Sequence, residues 1–209
     1  MDPNVADAIA DDVARALRRA GYPVLVGISN RHFHVTEKDW RVLFGDQDPK
    51  PLRPVRQPRQ WAGAETVAIE GPKGRFPKVR LLGPFRKVTQ VEVSRSDAMV
   101  LGLEPPVRGS GSLKGAAPIR LAGPKGSVEV REGLIISQRH LHLGLKDSED
   151  LCVRDGDVVR VRAGTGGPRE LVFEGVLARV AKDFALEFHV DTDEANAAWL
   201  NNGDRVIVL

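Results

Sequence analysis

The chain is poor in the features that mark secreted and membrane proteins. It has one cysteine, Cys152, among 209 residues, so an intramolecular disulfide is excluded and a reducing compartment is predicted. The sequence shows no signal peptide and no apolar run long enough to cross a bilayer. We therefore expect a soluble, cytoplasmic protein with no membrane partner.

Aromatic residues and net charge are also low. Aromatics make up 5% of the chain, so Val, Leu, Ile and Ala must form the core. The 21 glycines and 14 prolines favour many short strands and turns over long helices. The formal net charge of +3 is too small to imply a nucleic-acid partner.

Several familiar catalytic motifs are missing. There is no G-x-S-x-G nucleophile elbow and no Walker loop, and Cys152 lies in no recognisable nucleophile context. The run GSGSLKG from Gly109 to Gly115 has one residue too many for a dinucleotide-binding loop. The chemistry must therefore depend on another group of residues.

An internal repeat organises the chain. Residues 26–39 read VGISNRHFHVTEKD and residues 134–147 read LIISQRHLHLGLKD, and the tetrapeptide GPKG occurs at Gly71–Gly74 and again at Gly123–Gly126. We predict a mainly β protein with two related β-barrel domains from an internal duplication, capped by short helices. The predicted segments are an N-terminal helix over 1–22, a first barrel over 23–110 and a second barrel over 111–209.

The N-terminal segment reads as an amphipathic helix. Asp2 followed by proline is typical of a cap, and an apolar stripe follows at every fourth residue: Val5, Ile9, Val13 and Leu17. One interpretation is a helix packed on the main body. The other is a helix that docks on a partner.

Histidines carry the main chemical signal. His32 and His34 project from one face of a strand, as do His140 and His142, and two imidazoles on one face are half of a zinc site. An exposed polar face is the alternative, but the repetition favours metal. His189 is either a further ligand or a buried core histidine. Five imidazoles exceed one tetrahedral site, so two ions are the simpler account.

Charged residues form a second group. Arg86 follows a Gly-Pro turn and offers a planar guanidinium suited to phosphate, while Gln90 and Glu92 share one strand face. An ordinary surface ion pair is the alternative. The segments 49–64 and 71–91 carry several basic residues and no acid, which suits an anion with several phosphates or a solvated surface.

Five spaced motifs together resemble the phosphate propanoyltransferase family, the propanediol-utilisation type of phosphotransacylase. They are SNRHFH, GPFRKVTQVE, PVRGSG, ISQRHLH and FHVDTDEAN, and the resemblance runs from about Pro23 to Leu209. It implies two β-barrel domains, two Zn²⁺ ions and coenzyme A. The implied reaction interconverts acyl-CoA and phosphate with acyl phosphate and CoA.

The resemblance also implies roles for residues at the motif positions. It places one zinc at His32, His34 and Glu92, where the CoA sulfur also binds, and the other at His140, His142 and His189. Arg86 corresponds to the catalytic arginine that contacts phosphate in the family. Among the basic residues, we expect Arg59, Lys87 and Arg108 to bind CoA. Arg59 stands where the family pattern leads us to expect glycine.

Two other functions remain open at the level of sequence. The same residues suit a zinc-dependent hydrolase of thioesters or phosphoesters, or a binding module with structural zinc. The acyl group is propanoyl or acetyl. The N-terminal helix is an encapsulation peptide for a bacterial microcompartment shell or an ordinary first helix, and a homo-oligomer is compatible with either.

Overall fold

The structure, a computed structural model, describes residues 3–209, and in this range it has five helices and fourteen strands. The cap expected at Asp2 lies outside the described residues. The helices are α1 (Pro3–Ala20), α2 (Glu37–Phe44), α3 (Arg95–Leu101), α4 (Leu145–Leu151) and α5 (Thr192–Ala197). The strands are β1 (Val24–Ser29), β2 (His32–His34), β3 (Pro51–Pro54), β4 (Trp61–Glu70), β5 (Arg75–Gly83), β6 (Gln90–Val93), β7 (Val107–Arg108), β8 (Ala117–Ala122), β9 (Ser127–Ser137), β10 (His140–Leu143), β11 (Val158–Ala163), β12 (Leu171–Val180), β13 (Glu187–Asp191) and β14 (Arg205–Val208).

One compact unit contains residues 1–28, 139–190 and 194–209. Its six strands close into a barrel in the order β1-β13-β10-β12-β11-β14. Alternate residues of each strand point inward, and the core includes Val24, Leu141, Phe188 and Val208. We call this unit the second barrel, because it carries the second H-x-H strand.

The other compact unit contains residues 29–138 and 191–193. Its strands run in the order β4-β5-β2-β6-β9, and β8 pairs with both β9 and β4, so six strands again close on themselves. Strands β3 and β7 pair outside this ring with β4 and β9. Phe33, Trp40, Leu81 and Leu134 are fully buried in its core. We call this unit the first barrel.

Two barrels in a mainly β chain confirm the predicted fold class, but the compact units do not divide at residues 110 and 111. Strands β8 and β9 follow that boundary in the chain and still belong to the first barrel, whereas β1 precedes it and belongs to the second. Each barrel therefore contains the strand that directly precedes the H-x-H strand of the other barrel: β9 lies in the first barrel and β1 in the second. Long-range pairs such as Val24 with Val206 and Val91 with Leu134 decide this, and local sequence does not encode them.

The GPKG echo also has a different meaning from the one expected. Both copies lie in the first barrel, where Gly71–Gly74 joins β4 to β5 and Gly123–Gly126 joins β8 to β9. Each hairpin packs on the end of a helix: Lys73 N donates to Leu101 O at 3.1 Å, and Lys125 N donates to Leu43 O at 3.0 Å. The echo thus reflects two similar hairpins within one barrel and does not mark two domains.

Helix α1 is attached by its C-terminal end. The Arg19 guanidinium donates to the carbonyl oxygens of Leu151 at 3.0 Å and Leu209 at 2.6 Å. The four residues of the apolar stripe, from Val5 to Leu17, are 49–70% exposed, so the interpretation in which this stripe packs on the main body is wrong. Among the described helices, none has the length and apolar character needed to cross a membrane.

Candidate functional site

The first barrel brings together three side chains that could hold a metal ion. Strand β2 places His32 and His34 on one face, and the antiparallel strand β6 places Glu92 directly opposite His32. The Glu92 carboxylate lies 3.7 Å from Nε2 of each histidine. The ligand atoms of this group, which we call the first triad, all lie within 4.8 Å of one another.

Backbone carbonyls orient both rings of the first triad. Nδ1 of His32 lies 2.8 Å from Asn30 O, and Nδ1 of His34 lies 2.7 Å from Leu82 O. A carbonyl oxygen only accepts, so each Nδ1 donates its proton, and the neutral form of each ring then has its lone pair on Nε2. This is the neutral tautomer that binds metal, held by the outer hydrogen bonds typical of metal sites.

Burial keeps His34 neutral, and the groups around Glu92 keep its carboxylate ionised. Burial, with His32 and Arg86 nearby, lowers the pKa of His34 to about 3, against the opposing charge of Glu92. Burial alone would raise the pKa of Glu92, but the two imidazoles and hydrogen bonds from Ser110 and Ser137 hold it at about 2. At neutral pH His34 is therefore neutral and Glu92 is ionised.

A glutamine connects the first triad to the loop that contains the run from Gly109 to Gly115. Gln90 Nε2 donates to Glu92 Oε1 at 2.7 Å and to Ser110 Oγ at 2.6 Å, and Gly111 N donates to Gln90 Oε1 at 2.8 Å. Sequence reasoning placed Gln90 and Glu92 on one face without giving Gln90 a role. The i, i+2 spacing was the available signal for it, whereas nothing in the sequence pointed to Ser110 or Ser137 as partners of Glu92.

The second barrel builds a matching group from histidines alone. Strand β10 places His140 and His142 on one face, and β13 places His189 directly opposite His140. We call these three residues the second triad; their ligand atoms also lie within 4.8 Å of one another. Burial, with the other two imidazoles and Arg179 nearby, lowers the pKa of His142 to about 2.

The donor arrangement in both triads fits a metal ion. Nε2 of His140 and Nε2 of His142 face each other at 3.0 Å, and Nδ1 of His142 is buried without a hydrogen-bond partner in the structure. Two nitrogens bound to one tetrahedral zinc lie about 3.3 Å apart, given bonds of about 2.0–2.1 Å. The distance of 3.0 Å between two nitrogens in the second triad is slightly shorter than this value, and the distance of 3.7 Å from nitrogen to carboxylate oxygen in the first is slightly longer.

The predicted anion-binding residues are all exposed. Arg86 follows the cis Gly83–Pro84 bond, and its backbone N donates to Val35 O at 2.9 Å, directly after the H-x-H strand. The backbone of Arg86 therefore lies next to the strand of the first triad, and its charge is one of the causes that lower the pKa of His34. Lys87 is next in sequence, and Arg108 donates Nη1 to the carbonyl oxygen of Val107.

Arg59 lies in the turn between β3 and β4 and has a φ of 62°. This left-handed conformation is one that glycine adopts without a steric penalty. The backbone at this position therefore favours glycine, the residue that the family pattern leads us to expect here. The roles of Arg59, Lys87 and Arg108 in CoA binding stay predictions.

Comparison with known proteins agrees with the motifs. A profile of the phosphate propanoyltransferase family matches residues 25–201. The phosphate propanoyltransferase of Thermotoga maritima is 52% identical over 187 residues, which is 89% of both chains. The enzymes of the same name from Klebsiella pneumoniae and Salmonella typhimurium are 48% and 43% identical, over 84% and 97% of this chain and 83% and 95% of their own.

Proposed function

The chain belongs to the phosphate propanoyltransferase family and is a phosphate acyltransferase, and we propose that it works with two zinc ions on a short-chain acyl-CoA. The reaction interconverts acyl-CoA and phosphate with acyl phosphate and CoA. The observation that carries the proposal is the pair of triads, each built by an H-x-H strand and an acid or histidine directly across from it.

The donor sets favour zinc in both triads. Imidazole nitrogens with one carboxylate, or three imidazoles, are the ligand sets of catalytic zinc, and three protein ligands leave a position for substrate. Bound zinc acts as a Lewis acid on a carbonyl and stabilises a thiolate. The carbonyl groups of Asn30 and Leu82 hold the imidazoles of the first triad ready for this binding.

Arg86 is the proposed phosphate-binding residue. Arg86 is exposed, its backbone pairs with Val35 one residue after His34, and its guanidinium offers a planar set of donors to a phosphate oxygen pair. Holding phosphate next to the acyl carbonyl makes the attack effectively intramolecular, and the positive charge stabilises the negative charge that develops. Phosphate is itself the nucleophile, so no acyl-enzyme is required.

Exposed cations around the first barrel suit the other phosphates of the substrate. We assign Arg59, Lys87 and Arg108 to the phosphates of CoA, because each presents its charge to solvent in the unit that carries Arg86. Propanoyl and acetyl are both proposed acyl groups.

The decisive experiment replaces Arg86 and measures phosphate-dependent thiol release from propanoyl-CoA and acetyl-CoA. Arg86→Ala should lower the rate by about 10²-fold or more, because it removes a charge aimed at the transition state. Zinc content should stay unchanged. Arg131→Ala, an exposed arginine on β9 of the same unit, is the matched control and should retain full activity. Thiol release independent of added phosphate would favour the hydrolase instead.

Elemental analysis tests the metal separately. The purified chain should contain two zinc ions, and His140→Ala should lose one of them, because two imidazoles hold zinc weakly compared with three. Equal zinc content in the variant would remove His140 from the site.

We also propose that α1 docks on a microcompartment shell, since its exposed apolar stripe is available to a partner. Ile9→Asp should abolish co-purification with shell proteins and leave acyl transfer unchanged. Retained co-purification would identify α1 as an ordinary first helix.

A further inference from the structure

Each barrel presents four side chains on one face of two neighbouring strands. In the first barrel, His32 lies opposite Glu92 and His34 lies opposite Gln90. In the second barrel, His140 lies opposite His189 and His142 lies opposite Glu187. We call these sets the first and second quartets. The triads account for three members of each, and the fourth members are Gln90 and Glu187.

The two quartets place their single carboxylate at different corners. In the first, the carboxylate is a triad member, Glu92, and its neighbour two residues earlier is the amide Gln90. In the second, the triad member is His189, and its neighbour two residues earlier is the carboxylate Glu187. The fourth member contacts its triad neighbour in both: Gln90 donates to Glu92 at 2.7 Å, and Glu187 Oε2 lies 2.7 Å from His189 Nε2.

The surroundings of Glu187 show a position shaped for a carboxylate. The residue is 7% exposed, which is unusual for glutamate without a partner. Gly27 of β1 packs against it: a Cβ on Gly27 would lie 2.8 Å from Glu187 Cδ and Oε1 and 2.8 Å from His189 Cδ2. The missing side chain of Gly27 thus provides the space in which the carboxylate and the imidazole lie together.

We infer that Glu187 is a positioning residue of the second triad: its carboxylate orients the imidazole of His189 and supplies the negative charge that the three histidines lack. This inference rests on the proposed metal function of the triad. A carboxylate bonded to a metal-binding histidine fixes its tautomer and raises its basicity, and loss of such a partner typically weakens metal binding 10–100-fold. The charge that Glu92 provides directly in the first triad is provided in the second by a residue one contact away.

The test measures zinc affinity at the second triad alone. In the full chain, His34→Ala together with Glu92→Gln disables the first triad, and Zn²⁺ affinity is then measured by competition with a chromophoric chelator. In this background Glu187→Gln should weaken zinc binding about 10-fold and Glu187→Ala up to about 100-fold. Gln keeps the shape and an acceptor oxygen, so the first variant reports on charge and the difference between the two on orientation.

Two further variants separate positioning from a merely structural role. Gly27→Ala alters no polar group but pushes into Glu187 and His189, so it should also weaken zinc binding. Glu174→Gln makes the same chemical change at an exposed residue on β12 of the same unit, where the carboxylate pairs with Arg160, and should bind zinc as the background does. Thermal unfolding of each metal-free variant shows how much stability is lost.

Each outcome is informative. Zinc affinity unchanged in both Glu187 variants overturns the inference and leaves the metal function standing, whatever their thermal stability. A background variant that binds no zinc overturns the proposed second metal site, and the inference with it. Weaker binding in Glu187→Gln with an unchanged melting temperature supports the inference most directly.

Discussion

The arginine that precedes each H-x-H strand gives the sharpest stability prediction. In the first barrel, Arg31 donates Nε to Asp97 Oδ2 at 3.0 Å and Nη2 to Asp97 Oδ1 at 2.7 Å. Its guanidinium also lies 4.3 Å from the centre of the Phe76 ring. These contacts join the beginning of β2, directly before His32, to helix α3.

The cost of breaking this pair follows from the burial of its acid. The Asp97 side chain is 8% exposed and that of Arg31 is 32% exposed. Removing one partner of a buried pair costs about 3–5 kcal/mol, because the remaining charge is left without compensation. Since Arg31 is partly solvated, we expect Arg31→Ala to destabilise the chain by about 3 kcal/mol, including about 1 kcal/mol for the lost ring contact.

A double-mutant cycle measured by urea unfolding and far-UV circular dichroism tests this number. Arg31→Ala, Asp97→Ala and the double variant are compared, and the double variant should be more stable than the sum of the single losses predicts by about 2 kcal/mol. Single losses below about 1 kcal/mol that simply add would refute the reasoning.

The internal repeat supplies a matched control. Arg139 precedes His140, donates Nε to Glu194 Oε1 at 2.5 Å and Nη1 to the carbonyl oxygen of Glu174 at 2.7 Å, and its guanidinium lies 5.5 Å from the Phe173 ring. The Glu194 side chain is 18% exposed, so we expect Arg139→Ala to cost about 2 kcal/mol, less than Arg31→Ala, because the acid left behind is better solvated. A larger loss for Arg139→Ala than for Arg31→Ala would contradict the role of burial.

Three further predictions concern the backbone and the strand exchange. Cys152 ends α4 with φ 50° and ψ 50°, so Cys152→Gly should raise stability by about 1 kcal/mol in a thermal melt, and a lower melting temperature would oppose this. A Cβ on Gly71 would lie 2.3 Å from Leu101 O, so Gly71→Ala should lower the melting temperature, whereas Gly109→Ala, with open space around it, should not. A fragment of residues 139–209 lacks β1 and should stay unfolded by circular dichroism until a peptide covering β1 is added; folding alone would contradict the exchange.

The strand face that carries each pair of histidines was predictable from sequence because it depends on local geometry. Alternation along a strand puts residues two apart on one face whatever the fold, so the pairs His32 with His34 and His140 with His142 followed directly from the spacing. The partners on β6 and β13 did not follow in this way. Glu92 and His189 face these pairs because strands far apart in sequence align in one register. The sequence left the role of both residues open, and only the family resemblance assigned each of them to a particular pair.

Strand exchange was beyond sequence reasoning for the same physical cause. The two copies of the repeat are contiguous in the chain, and contiguity suggested contiguous domains. The pairing energy of β1 and of β9 depends on the neighbouring strand with which each one pairs. In the structure β9 pairs with β6, and β1 pairs with β14. Both strands precede a copy of the same H-x-H motif, so the repeat alone does not determine which barrel each strand completes.

The comparison of the quartets shows how two copies of one site can diverge while keeping its charge. Aligned position by position, Gln90 against Glu187 and Glu92 against His189 look like two unrelated substitutions. On the folded strands they amount to one change: the carboxylate is a member of the triad in the first quartet, and it is the neighbour of the triad in the second. A carboxylate that binds a cation directly neutralises part of its charge, whereas one that acts through an imidazole leaves the cation a stronger Lewis acid. If both triads bind zinc as proposed, we therefore expect the second triad to hold the more electrophilic ion of the two.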